Sequence, residues 1–181
     1  MARFESVNLD GGVHEIPIPA VPGRLWLCGK HAIGPGPGPL LNRLGVDDAH
    51  VVCLVQRHEI ADRYPEYVRW LDITDDRTWF PIPDLSVPPF DEMVGLCRLV
   101  AELLASGRNV VAHCAAGMGR AGTLAVAVSM ILGTPTERAL AEVRAARPGA
   151  GPEVGVQRES ISELERWLGD PTTNRSTTGA C

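Results

Sequence analysis

The sequence predicts an α/β fold: a single domain with a mainly parallel central sheet flanked by helices. Short β-branched runs alternate with longer helical stretches along the chain. One run, HVVCLV at 50–55, is apolar at every position after its histidine, as a strand covered on both faces requires. At 181 residues and 45% hydrophobic, the chain can build one real core and is short for two.

Residues 1–24 are polar and proline-punctuated and read as an N-terminal extension, which puts the first regular element at LWLCG, a strand over 25–29. GPGPGP at 34–39 is expected to hold neither a helix nor a ladder. PLLNRLG then gives a short helix ending at Gly45, HVVCLV a buried strand, HEIADRYPEYV a broken helical connector and VRWLDI a further strand. Residues 74–89, TDDRTWFPIPDLSVPP, hold four prolines and several acids beside Trp79 and Phe80, a loop long enough to be functional.

From Phe90, the spacing of Met93, Val94, Cys97, Val100, Ala101 and Leu104 predicts a helix with one apolar stripe, ended by Gly107. NVVAHC reads as a strand. After Gly122 the chain is apolar on every side, so a helix buried in the core is expected, closed at Gly133. Thr134-Pro135-Thr136-Glu137 has capping-box spacing with proline at the first helical position, and Pro148-Gly149 ends the helix it opens. A last helix covers about 154–168. The domain is thus expected over 25–168, and the tail 169–181, which lacks core residues, is expected to be disordered.

Composition removes several function classes. Net charge is −5, and the seventeen cations, all arginine except Lys30, form no basic run that would track nucleic acid or an anionic membrane. No N-terminal signal pattern and no apolar run of spanning length is present, so a cytoplasmic protein is expected. Five widely spaced cysteines without a CxxC pair argue against a disulfide framework and against a zinc site. Cys28, Cys53 and Cys97 read as small buried hydrophobes.

The chemistry concentrates in VVAHCAAGMGRAGT, 110–123. Gly117, Gly119 and Gly122 match GxGxxG, but a dinucleotide fingerprint needs a following strand, and two helices follow here instead. A Walker loop fails at Thr123, which stands where lysine is required. The remaining reading uses every polar residue. Cys114 ends a strand, and CAAGMGR wraps backbone N–H groups around an anion at a helix N-terminus, with Arg120 at its mouth. The N–H groups, the helix dipole and Arg120 favour a thiolate over a thiol at Cys114, and Arg120 offers a planar fork for two phosphoryl oxygens. From this composition, HCxxGxxR arises by chance in roughly one chain in a thousand, so the pattern carries meaning.

HCAAGMGRAGT resembles the HCxxGxxR(S/T)G motif of the cysteine-dependent protein tyrosine phosphatases, most closely the small atypical dual-specificity type, and the resemblance extends over roughly 22–168. It implies Cys114 as nucleophile and Arg120 as phosphate-binding cation. It also implies a phosphate ring built by Ala115, Ala116, Gly117, Met118, Gly119 and Ala121, with His113 ordering the loop beside the substrate and not acting as a base. The family's general acid is an aspartate on a mobile loop about thirty positions before the cysteine, where Asp84 stands in WFPIPD. Asp75, Asp76 and Asp91 are its competitors. A glutamine after an RPG-type helix end, here Gln157, is implied to place the hydrolytic water.

The resemblance implies no metal or other cofactor and a phosphorylated protein or small phosphomonoester as substrate, since the loop lacks the lysines of phosphoinositide phosphatases. With only Tyr64 and Tyr67 in the chain, no tyrosine-bearing loop deepens the cleft, which suits a permissive site. Cys53 is the candidate resolving thiol for an oxidised Cys114, with plain burial as its other reading. One departure stands out: the family has Ser or Thr after the arginine, where its hydroxyl stabilises the departing thiolate, and here that residue is Ala121. Two rival classes remain at this stage, a rhodanese-like sulfurtransferase and a phosphate-reading binding module without turnover.

Overall fold

The structure, a computed structural model, describes residues 12–19 and 21–170. In chain order its elements are β1 (Val13–Ile16), β2 (Leu25–Gly29), α1 (Lys30–Ile33), α2 (Pro37–Leu44), β3 (His50–Cys53), a 3₁₀ turn (Arg57–Glu59), α3 (Pro65–Ile73), β4 (Arg77–Trp79), α4 (Phe90–Ala105), β5 (Val110–Cys114), α5 (Gly119–Ile131), α6 (Thr136–Ala146) and α7 (Gly155–Gly169). The strands form one sheet in the order β1-β2-β5-β3-β4, in which β1 is antiparallel to β2 and every other pairing is parallel. Every residue of β2 and β5 is buried, so both faces of the central strands are covered, as a mainly parallel sheet requires.

The core is built around α5. Its residues from Gly119 to Met130 are all buried, and α4, α6 and α7 pack against it, which accounts for a helix with no polar face. Parallel register places Gly29 beside Cys114 and sets Cys28 and Cys53 on either side of His113. The C-terminal ends of β2, β5 and β3 therefore meet at one edge of the sheet, where an open α/β fold gathers its functional loops.

The structure corrects the sequence reading at several elements. VRWLDI is helical, the second half of α3: Pro65 opens the helix, and Tyr67, Val68 and Leu71 are buried while Arg69 and Asp72 are exposed, a period near 3.6. The strand expected there comes later and is shorter, as β4 inside the 74–89 loop. The first regular element among the described residues is β1, within the segment read as an extension; it adds an antiparallel edge strand to β2. GPGPGP does enter a helix, because Pro37 and Pro39 fall in the first turn of α2, where no backbone N–H is needed. The ladder of β3 stops at Cys53, although Leu54 and Val55 remain buried. The Thr134 capping box does not form: Pro135 occupies the N-cap position and no side chain caps α6. Only residues 169 and 170 of the expected disordered tail fall among the described residues, the former ending α7; Cys181 lies outside them. No helix of the described residues is long and apolar enough to cross a membrane.

Candidate active site

Between the end of β5 at Cys114 and the start of α5 at Gly119, the backbone is held by three donors from elsewhere in the fold. Lys30 N donates to the Ala115 carbonyl at 3.0 Å. Arg147 Nη2 donates to the Ala116 carbonyl and its Nε to the Gly117 carbonyl, both at 2.7 Å. A trans peptide points its N–H opposite to its C=O. Fixing these three carbonyls outward therefore turns the amides of Ala116, Gly117 and Met118 toward the other side, as an anion-binding nest requires. Gly117 has φ of +73°, and a Cβ there would lie 2.4 Å from the Cys28 carbonyl, so the turn admits only glycine.

Arg147 is fully buried at the end of α6 and was not singled out in the sequence, where it reads only as part of a helix stop. Its Nη1 also meets His14 Nδ1 and, at 3.3 Å, the Gly12 carbonyl, which ties β1 to the loop. Burial lowers the His14 pKa, with the Arg147 charge adding to the effect, so the ring is neutral and able to accept from the guanidinium.

Arg120, the second residue of α5, is 4% exposed. Glu59, from the 3₁₀ turn, grips it end-on: Nη1 donates to Oε1 at 2.8 Å and Nη2 to Oε2 at 2.9 Å. Nη1 also donates to the Ile82 carbonyl at 2.8 Å. Burial by itself would raise the Glu59 carboxyl and lower Arg120, but their pairing outweighs it, holding Glu59 below the usual carboxylate range and Arg120 above its own. The edge formed by Nε and Nη2 is less fully engaged. Nε has no hydrogen-bond partner among the described residues, and Nη2 faces Asp84 Oδ1 at 3.1 Å. Sequence reading missed Glu59. Its signal was local, a Gln56-to-Glu59 capping box in which Glu59 Oε1 accepts from Gln56 N at 2.9 Å.

Of the four competing aspartates, Asp84 alone reaches Arg120. Its side chain is 68% exposed, whereas Asp76 pairs with Arg108 at 2.6 Å and Asp91 sits in the first turn of α4. Leu85, beside Asp84, has φ of +56° in a turn closed from Ser86 N to the Pro83 carbonyl at 3.2 Å. Gln157 is fully buried and links the same loop to α7: Nε2 donates to the Ser86 carbonyl at 3.5 Å, and Oε1 accepts from Glu153 N at 2.8 Å. A Cβ on Gly119 would lie 3.3 Å from Gln157 Nε2 and 2.0 Å from a Glu153 carboxylate oxygen, so both side chains stand over the start of α5.

His113 backs the loop and does not line its open side: the ring is fully buried and shares a 2.7 Å hydrogen bond with Tyr67 Oη. Burial, aided by the Arg120 charge, pushes its pKa down to about 4, against the pull of the Cys114 backbone and Glu59. It is neutral at ordinary pH, as suits an ordering residue. Ala121 is buried in the first turn of α5, and Thr123, whose Oγ1 has no hydrogen-bond partner among the described residues, lines a small cavity under the acid loop. Burial pushes Cys28, Cys53 and Cys97 up to about 12, in keeping with packed, inert thiols.

Residues 49–134 match the family model described as Tc-R-P, polymorphic toxin system, DSP-PTPase phosphatase. Among solved structures, Tk-PTP in its active form is 29% identical, with 84% of this chain and 97% of that chain covered and a TM-score of 0.65. Kinase associated phosphatase with its catalytic-site cysteine replaced by serine (17% identity, 87% and 96% covered, TM-score 0.68) shares the fold. So does human DUSP28 (18%, 86% and 95%, 0.61). With a thiol and an arginine brought to one glycine-built loop, the chain is similar in sequence to the DSP-PTPase phosphatase model over residues 49–134 and to Tk-PTP over most of its length. Both likenesses support a cysteine-dependent protein phosphatase.

Proposed function

We propose that the protein hydrolyses phosphomonoesters, phosphotyrosine and also phosphoserine or phosphothreonine in proteins, through a phosphocysteine intermediate on Cys114. The observation that carries this is the Arg120 guanidinium, six residues after Cys114, locked end-on by Glu59, with Asp84 at Nη2 and its Nε without a hydrogen-bond partner among the described residues. In the first step the Cys114 thiolate attacks phosphorus and the P–O bond to the leaving group breaks. Asp84 gives its proton to the departing oxygen. In the second, water positioned by Gln157 loses a proton to Asp84 and attacks phosphorus, the S–P bond breaks, and phosphate leaves with the thiolate restored. Asp84 already docks on Arg120, within reach of a phosphoryl group held there. The backbone amides and Arg120 stabilise charge on the equatorial oxygens throughout, and the step needs no metal.

A sulfurtransferase has no use for a carboxyl docked on its anion-binding arginine, which weighs against that class. A cytoplasm, where thiols stay reduced, suits the proposed nucleophile.

Metal-free hydrolysis of an aryl phosphate, with an acid quench to trap phosphocysteine, tests the reading. Wild type is expected to turn over and Cys114→Ser to lose turnover entirely, with no trapped intermediate. A variant that retained activity would sink the assignment. The missing hydroxyl at Ala121 bears on the second step. Ala121→Ser is expected to shorten the phosphocysteine lifetime by roughly tenfold, the worth of one hydrogen bond to a charged group. Equal hydrolysis rates in the two proteins would show that thiolate departure does not limit turnover.

A further inference from the structure

We propose that a cationic groove beside the acid loop is a second substrate subsite, selecting an acidic side chain about three residues from the phosphorylated one. The proposal rests on the phosphatase reading above.

The groove has a volume of about 400 Å³ and is lined by Arg57, Arg77, Trp79 and Pro81. Its walls come from the two segments that grip Arg120. Glu59 and Ile82 hold the guanidinium, and Arg57 and Pro81 lie two and one residues before them, on the same 3₁₀ turn and the same loop. The groove therefore leads outward from the phosphate-binding arginine. Its cations are organised in advance. Arg57 Cζ stands 4.7 Å above the Trp79 ring. Arg77 Nε donates to the Leu71 carbonyl at 2.5 Å, while its Nη groups have no partner among the described residues. Arg57 shares one Nη with Asp72, which leaves the groove cationic in a chain of net charge −5. Two planar forks, one stacked and one anchored, suit a carboxylate or a second phosphate better than a cation or an apolar side chain.

Register sets the distance. Trp79 pairs with Cys53, and Cys53 with His113, so the groove end of β4 lies two strand spacings, roughly 10 Å, from the strand end that carries Cys114. An extended peptide rises about 3.3 Å per residue, so three residues span that gap.

Phosphotyrosine peptides of one sequence, carrying Glu, Gln or Lys at the third position on either side, test this. On one side, wild type is expected to favour Glu over Gln about fivefold in kcat/KM, the scale of one or two part-exposed ion pairs, with Lys lower still and the spread shrinking as salt is added. The double charge reversal Arg57→Glu with Arg77→Glu is expected to invert the order. Because the ratio is read between peptides on the same variant, a general loss of fold or chemistry cancels. Equal kcat/KM for the three peptides, a preference that survives the reversal, or turnover of aryl phosphate without turnover of any peptide overturns the subsite and leaves the phosphatase reading standing. No hydrolysis of any substrate, aryl phosphate included, overturns both.

Discussion

Arg120→Lys is expected to lower kcat/KM for an aryl phosphate by about 10³-fold, the lower end of what an arginine contributes to phosphoryl transfer. Charge is retained in this variant, so the loss isolates geometry. The guanidinium has two edges: Glu59 occupies Nη1 and Nη2 end-on, and on the proposed reading Nε with Nη2 takes the phosphoryl oxygens. An ammonium cannot fill both roles, because a compact charge paired with Glu59 no longer offers a planar fork to two oxygens. Burial sharpens the effect. At 4% exposure, no bulk solvent takes over the lost hydrogen bonds, and Glu59 keeps its charge without its partner. The loss is expected mostly in kcat, since charge accumulates on the equatorial oxygens as the phosphoryl group transfers. Steady-state kinetics with vanadate binding alongside checks this; a loss under tenfold, with vanadate still bound tightly, contradicts the bidentate role.

What the sequence disclosed about this site follows from how local its parts are. Cys114 and Arg120 lie in one loop between a strand and a helix, and a motif of seven residues captures the whole unit. The roles expected of Asp84 and Gln157 come only from the family resemblance, since nothing near either residue sets it apart from a surface aspartate or glutamine. Glu59 and Arg147 escaped because their roles are long-range. Glu59 bonds a residue 61 positions away, and Arg147 bonds carbonyls 30 and 31 positions away; the capping box at Gln56 and Glu59 marks a turn and not a partner for Arg120, and Arg147 leaves no local mark. Both are charged side chains that the fold buries, and a buried charge is held in place by its partners, not by its sequence context.

The fold shows the same division. Helices with a full apolar stripe or an apolar surface, α4 and α5, follow from periodicity, and β5 from its β-branched run. VRWLDI misled because a six-residue window alternates nearly as well as it spirals; Pro65 and the buried trio Tyr67, Val68 and Leu71 decide it only when read as one segment. β4 and β1 have three and four residues, exist by pairing with β3 and β2, and carry too little pattern of their own.

Asp84→Ala is expected to slow hydrolysis of an unactivated aryl or alkyl phosphate by 10²–10⁴-fold, with a much smaller loss for a leaving group that departs as a stable anion. The same change removes the carboxylate that faces Nη2 of Arg120 at 3.1 Å. On the proposed mechanism a phosphoryl oxygen takes that position, so the aspartate would compete with the substrate for the arginine before serving it. Inorganic phosphate is therefore expected to bind the variant more tightly, by up to about fivefold. The gain is small because the Asp84 side chain is 68% exposed and solvent screens its pairing. Slower chemistry with tighter anion binding is a signature that a merely structural residue does not give. Of the other candidates, Asp76 is committed to Arg108 and Asp91 to the first turn of α4, so their replacement should change neither quantity. If Asp84→Ala left the slow substrate as fast as wild type, the proton would have to come from another group, and the contact with Arg120 would be a brake alone.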